Sequence, residues 1–297
     1  MHKNTSSLGI VFAVINLTIA LGCLFAQENK TSQITVVNKR DFETILNALF
    51  VAYPIDDGTR EEWLTKIQKR DQAAAQLRFL GTNALPLLFD EVKIVGQIGK
   101  TNILLAVNRK AEISAAFQVI GPEAKPLVPN LIQELNAGRN PGNSAQALAD
   151  IGGEEAGTAL VRAITNPIPA VRESAAAAIE GFKDNPDIAK SAVKPLLECL
   201  NDKVPVLRPI AIDSLGVLGK EPTIVIPVLV QIAETDSDVV LRSAAIKSIG
   251  RFGTNALTAQ ATLHSIAISD NSDFVRKRAA QVSQDLEKEK VKGSLEK

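Results

Sequence analysis

The side chains best suited to chemistry are few and scattered. His264 is one of two histidines, the other being His2. It stands inside Ala261-Thr-Leu-His-Ser-Ile266, a helical pattern, and reads as a helix histidine rather than the base of a Ser-His-Asp triad. Cys199 lies in Pro195-Leu-Leu-Glu-Cys-Leu200, an apolar stretch where a cysteine serves as a small buried hydrophobe. One histidine and one cysteine so far apart give no zinc spacing. Asp236/Asp238 and Asp270/Asp273 suit turn and helix-capping roles, whereas a calcium loop needs more oxygens. Gly96-Gln-Ile-Gly-Lys-Thr101 has the end of a phosphate loop, but Ile94 stands where the motif needs its first glycine and no strand precedes it. It reads as an enlarged turn between helices. The expectation is therefore no catalytic residue, no cofactor and no metal.

Charge narrows the partners. Thirty-three basic and thirty-three acidic residues give a formal net charge of zero. A nucleic-acid surface needs a basic excess. The local clusters Lys66/Lys69/Arg70 and Arg276/Lys277/Arg278 are offset by Glu61, Glu62 and Asp273 and read as solvated helix faces.

Residues 1–26 have the form of an export signal. His2 and Lys3 precede the apolar run Ile10–Leu21, and small Ala26 stands just before Gln27 as a cleavage position. Three N-terminal forms stay open: cleaved, anchored by the uncleaved segment, or lipidated at Cys23, where Ala20-Leu-Gly-Cys23 resembles a bacterial lipobox. The chain is thus expected to be exported, periplasmic or secreted, and to meet a membrane only through Cys23 or an uncleaved signal. After cleavage Cys199 has no intrachain partner, so the fold must stand without disulfides.

What must position any site is a repeated helix. Leu241-Arg-Ser-Ala-Ala-Ile-Lys-Ser-Ile-Gly-Arg-Phe-Gly253 shares its pattern with the segments beginning at Leu207 and Val171, and Val275-Arg-Lys-Arg-Ala-Ala-Gln-Val282 is a shorter copy. Upstream copies begin at Arg70, Lys110 and Pro141, which makes seven. Counting from the basic residue, apolar or small side chains fall at the third, fourth, seventh and tenth positions, the stripe of a 3.6-residue period. Glycine closes the stripe at Gly81, Gly121, Gly152, Gly219 and Gly253, where a helix takes a left-handed terminator; Lys183 breaks the rule. Between copies runs a second apolar stretch carrying Pro86, Pro126, Pro195 or Pro227, expected in its first turn. Each repeat is then a hairpin of helix A and helix B. The organisation expected is a flexible segment at 27–40, a solenoid at 41–286 and a charged tail at 287–297, with Trp63 packed in an N-terminal cap.

The pattern Asp-x-x-Val/Leu-Arg-x-x-Ala-Ala, clearest from Asp236 to Ala245 and from Asp273 to Ala280, resembles the HEAT family, including its bacterial variant with phycobilisome-lyase-like repeats. The resemblance covers roughly residues 41–286 and implies an all-α superhelix of about seven helix hairpins. It further implies that turn aspartates and helix-B arginines form a structural ladder through Arg70, Arg172, Arg208, Arg242 and Arg276, interrupted at Pro141. The function implied is a non-catalytic scaffold for protein partners, using a curved face lined by B helices, with Glu173, Asp213, Lys247 and Gln281 among its exposed residues. Two alternatives from the same resemblance are a bilin lyase or isomerase and a DNA-repair protein. Export and the missing catalytic cluster disfavour the first; export and neutral charge disfavour the second.

Overall fold

The computed structural model describes residues 37–49, 60–98 and 103–295. The export segment 1–26, its Cys23 and most of the stretch 27–40 lie outside the described residues, as does the side chain of Trp63. The helices all belong to the unit Asn38–Lys297.

Among the described residues there are fourteen α-helices and no strand. In chain order they make seven A/B hairpins. The first two are α1 (Lys39–Leu49) with α2 (Arg60–Leu80), and α3 (Leu85–Ile98) with α4 (Ile103–Ile120). Then come α5 (Val128–Asn136) with α6 (Pro141–Ile151), α7 (Glu154–Ala163) with α8 (Pro169–Ala178), and α9 (Pro186–Cys199) with α10 (Leu207–Leu218). The last are α11 (Pro222–Thr235) with α12 (Val239–Gly250), and α13 (Gln260–Ser269) with α14 (Asp273–Leu295). Each A helix packs on its own B helix, and consecutive B helices pack along one another. This is an α-α solenoid, in which one hairpin cannot cover its own apolar faces and stability accumulates from neighbour to neighbour.

The repeat pattern explains the core. In α12, Ala245, Ile246 and Ile249 are fully buried, and Phe252 in the turn that follows is nearly so. These are the third, fourth, seventh and tenth positions after Arg242. Small residues let the B helices come close. A Cβ on Gly216 of α10 would lie 2.6 Å from Ser248 Cβ of α12, and one on Gly250 would lie 2.9 Å from Val282 of α14. Gly219 closes α10 in the left-handed region (φ 60°, ψ 25°), where any other residue is strained. The exception at Lys183 has a physical reason. After α8 the chain tightens into a 3-10 turn, Ile179–Phe182, and Lys183 stays right-handed, so no glycine is required.

Several boundaries differ from the sequence expectation. Helix α1 starts at Lys39 because the Asn38 side chain caps it, accepting from the Asp41 N–H at 2.9 Å. Pro195 and Pro227 are not in first turns. Helices α9 and α11 begin earlier, at Pro186 and Pro222, and Asn185 caps α9 by accepting from the Ile188 N–H at 3.2 Å. Pro195 and Pro227 therefore sit inside their helices, each removing one backbone donor. The charged segment after Leu286 continues α14 to Leu295. Its Glu287 accepts from Gln260 Nε2 of α13 at 3.2 Å, which ties the segment to the last hairpin.

Candidate functional site

Two arrays of polar side chains run along the repeats. One joins the turns and holds the stack; the other runs along the B helices.

The joining array is built from arginines at the start of B helices and aspartates in the next repeat's turn. Arg172 of α8 donates through Nε and Nη2 to both carboxylate oxygens of Asp202, at 2.8 and 3.0 Å. Arg242 of α12 grips Asp270 in the same two-bond geometry, at 2.8 and 2.9 Å. Arg208 of α10 reaches Asp236 with one nitrogen and the Leu200 carbonyl with another, at 2.9 Å for the carbonyl. Each arginine thus binds its own turn's carbonyls as well as the next repeat. Arg172 donates to Asn166 O, and Arg242 to Asp236 O, both at 2.9 Å. The aspartates also order the turns: Asp202, Asp236 and Asp270 accept from the backbone N–H groups of Val204, Asp238 and Ser272. Asp238 caps α12 through the Val240 N–H at 2.7 Å.

These bonds hold the charged forms. The Arg172 guanidinium, then the Val204 N–H, keeps the Asp202 carboxyl below its ordinary range. Arg242 does the same for Asp270. At Asp236 burial opposes the charge, but the Asp238 N–H and Arg208 together outweigh it and the pKa is again lowered.

Arg276 and Arg70 differ from these three. Arg276 belongs to the last repeat; it donates to the carbonyl of Asp270 at 2.6 Å and pairs with Asp273 of its own helix. Arg70 is half exposed and pairs with the adjacent Asp71 at 3.0 Å. The turn of the next repeat, 99–102, lies outside the described residues. In the second repeat the buried arginine is Arg109, not the aligned Lys110. Arg109 bonds Glu112 at 2.9 Å and lies 3.4 Å from Glu91 of α3. Burial, partly offset by Arg109, pushes the Glu112 carboxyl up. Its sequence signal was the Arg109/Glu112 spacing of three on one helix face. At the third repeat, where Pro141 replaces the basic residue, Arg139 closes back on Glu134 at 2.6 Å.

Counted from the aligned basic position of each repeat, the second array occupies the fifth, sixth, eighth and ninth positions. Gln118 of α4 and Gln146 of α6 both donate to Asp150 Oδ1, at 3.2 and 3.1 Å. Ser214 of α10 donates to Glu180 of the preceding repeat at 3.0 Å and lies 2.7 Å from the carbonyl of Ala176. Lys247 of α12 and Arg251 at its C-terminal cap converge on Asp213 of α10 at 3.2 and 2.7 Å. Gln281 and Asp285 follow on α14, 2.8 Å apart. Asp213, Lys247 and Gln281 therefore lie in this row. Glu173 lies one turn nearer the start of α8.

Asp150 and Glu180 were not legible as site residues, yet they carry the row's unusual electrostatics. Burial pushes both carboxyls up. Asp150 is solvated by neutral donors alone, and its Oδ2 is buried without a partner. The signal available in sequence was a charged residue one step from the last stripe position, Ile151.

The chemically suggestive residues fall elsewhere. His264 is exposed on α13. Cys199 is buried, its thiol donates to the carbonyl of Ile164 at 3.7 Å, and burial raises its pKa to about 11. Gly96 to Ile98 form the end of α3, and 99–102 lie outside the described residues. Among the described residues, no histidine, cysteine and carboxylate cluster could hold a metal, and no helix is long and apolar enough to cross a membrane.

One comparison agrees with the repeat. The family model described as HEAT repeats matches residues 169–249 and 226–297. No curated protein matches the chain significantly in sequence. Among solved structures, an engineered protein is 16% identical, with 85% of this chain and 98% of that chain covered and a TM-score of 0.40.

Proposed function

We propose that this chain, whose residues 169–249 and 226–297 match the HEAT-repeat model, is a non-catalytic scaffold of the cell envelope or secreted space, binding a protein partner along its B-helix face. The observation that carries the reading is the second polar array. It runs from Gln118 to Asp285 across six repeats, and it adds little to stability because most of its links are exposed. A row of carboxylates, amides and two cations fixed on a rigid layer offers a partner charge and hydrogen-bond complementarity. Export rests on residues 1–26, whose pattern suits a cleaved signal.

The test is affinity capture from an envelope extract with the mature chain beside a variant carrying Asp213→Lys and Lys247→Glu. Specific proteins retained by the first and lost by the second support the reading. Equal recovery by both, or no specific protein with either, contradicts it. The mass of the mature N-terminus checks export: a start at Gln27 marks cleavage, and a lipid on Cys23 marks attachment.

A further inference from the structure

Between α4 and α6 the B layer opens into a groove of about 490 Å³. This is the joint at which Pro141 replaces the basic residue of the repeat. Val107, Ala111, Phe117 and Ala147 give the groove an apolar lining, and Asn143 and Asp150 line it as well. Both polar residues have an oxygen that is buried without a partner: Asn143 Oδ1 and Asp150 Oδ2. Both have their other groups engaged. Asn143 Nδ2 donates to the Val92 carbonyl at 3.2 Å, Asp150 Oδ1 accepts from Gln118 and Gln146, and the Ser114 hydroxyl beside Asp150 also favours its charged form, so the donors around this carboxylate are all neutral.

A buried acceptor without a donor costs free energy, and a carboxylate without a cation costs more. Lys110 lines the same groove but lies more than two turns before Gln118 on α4, roughly 12 Å along the axis from the level of Asp150. Among the described residues no lysine or arginine pairs with Asp150, and burial is the main influence on its carboxyl. The groove thus presents a carboxylate with neutral neighbours and, about 10 Å away along α6, the amide oxygen of Asn143.

We propose that this groove takes an extended peptide segment of the partner, with an arginine or lysine side chain paired to Asp150 and a backbone N–H given to Asn143. About three extended residues span that distance. The proposal rests on the scaffold reading and names the chemistry of one contact within it.

The test uses the isotope-labelled full chain, titrated by NMR with three acetylated, amidated peptides: Arg-Ala-Ala, its citrulline counterpart and Glu-Ala-Ala. The expected result is saturable shifts of the Ala111, Gln146 and Ala147 amides with the arginine peptide. Binding of the neutral citrulline peptide should be weaker by about tenfold, since a charge-assisted bond is lost. Asp150→Asn should remove the preference for arginine, and Asn143→Ala should weaken both peptides. Equal binding of arginine and citrulline peptides, no saturable shift, or an arginine preference that survives Asp150→Asn each overturns the proposal. Capture of a partner that depends on Asp213 and Lys247 but not on Asp150 would sink this groove while leaving the scaffold intact.

Discussion

Arg242 in the sixth repeat and Asp270 in the seventh form a two-bond ion pair, with the arginine side chain 11% exposed and the aspartate 8%. The pair joins two hairpins and, through Arg242 Nη1, also satisfies the Asp236 carbonyl in the turn. It is the best-formed rung of the stack.

Arg242→Met should therefore destabilise the chain by about 3 kcal/mol, because Asp270 and the turn carbonyls are left buried without their donor. Arg242→Lys should recover only part of this, since an ammonium cannot make the planar two-bond contact. Arg70→Met serves as the control. Arg70 is about half exposed and among the described residues bonds its neighbour Asp71, so the loss should stay within about 0.5 kcal/mol. Urea unfolding of the three variants measures the differences.

The rungs also set an acid limb. Asp202, Asp236 and Asp270 have lowered pKa values in the folded chain. Their stabilisation is complete above the unfolded aspartate value, near 3.9, and is lost as pH falls through the lower folded values. Melting temperature should drop steeply on that side of pH ~4. Arg242→Met should flatten part of the slope; a wild-type melting temperature unchanged down to pH ~2 would contradict the assignment.

Asp150 should show the opposite sign. Its folded pKa is raised by burial, so its ionisation costs stability once pH exceeds the unfolded value. Asp150→Asn should raise the melting temperature at pH 7 by about 2 °C, and the gain should vanish as pH falls below ~4. A stabilising substitution in the B-helix row is what a residue kept for binding, rather than for folding, produces. Thermal melts across pH check it.

The close approach of B helices gives a packing test. Gly216→Val should cost about 2 kcal/mol or more, since its Cβ alone would meet the Ser248 Cβ at 2.6 Å and Cα at 2.9 Å. Ala245→Asp places an unpaired charge at a fully buried position and should cost about 3 kcal/mol or more. An unchanged melting curve for either variant would refute the assigned layer.

The repeat made most of this fold readable. Positions such as Ala245 and Ile249 repeat with helical period, and Gly219 marks a helix end by a conformation other residues avoid. Helix starts were harder, because Asn185 with Pro186 and Glu221 with Pro222 precede the apolar pattern that Pro195 and Pro227 interrupt. The aligned basic positions did not behave alike: Arg109 takes a part-buried place one residue before the aligned Lys110. Asp150 could not be singled out, because its significance lies in what surrounds it, two neutral amides from different helices and a buried oxygen with none.

The most direct test of the scaffold reading is photo-crosslinking in the intact cell, with the reactive residue placed at Lys247 on the B-helix row or at His264 on helix A of the last repeat. Binding along the B-helix face predicts a discrete crosslinked protein from position 247 and none from position 264. Crosslinks of equal yield from both positions, or none from 247, would contradict it.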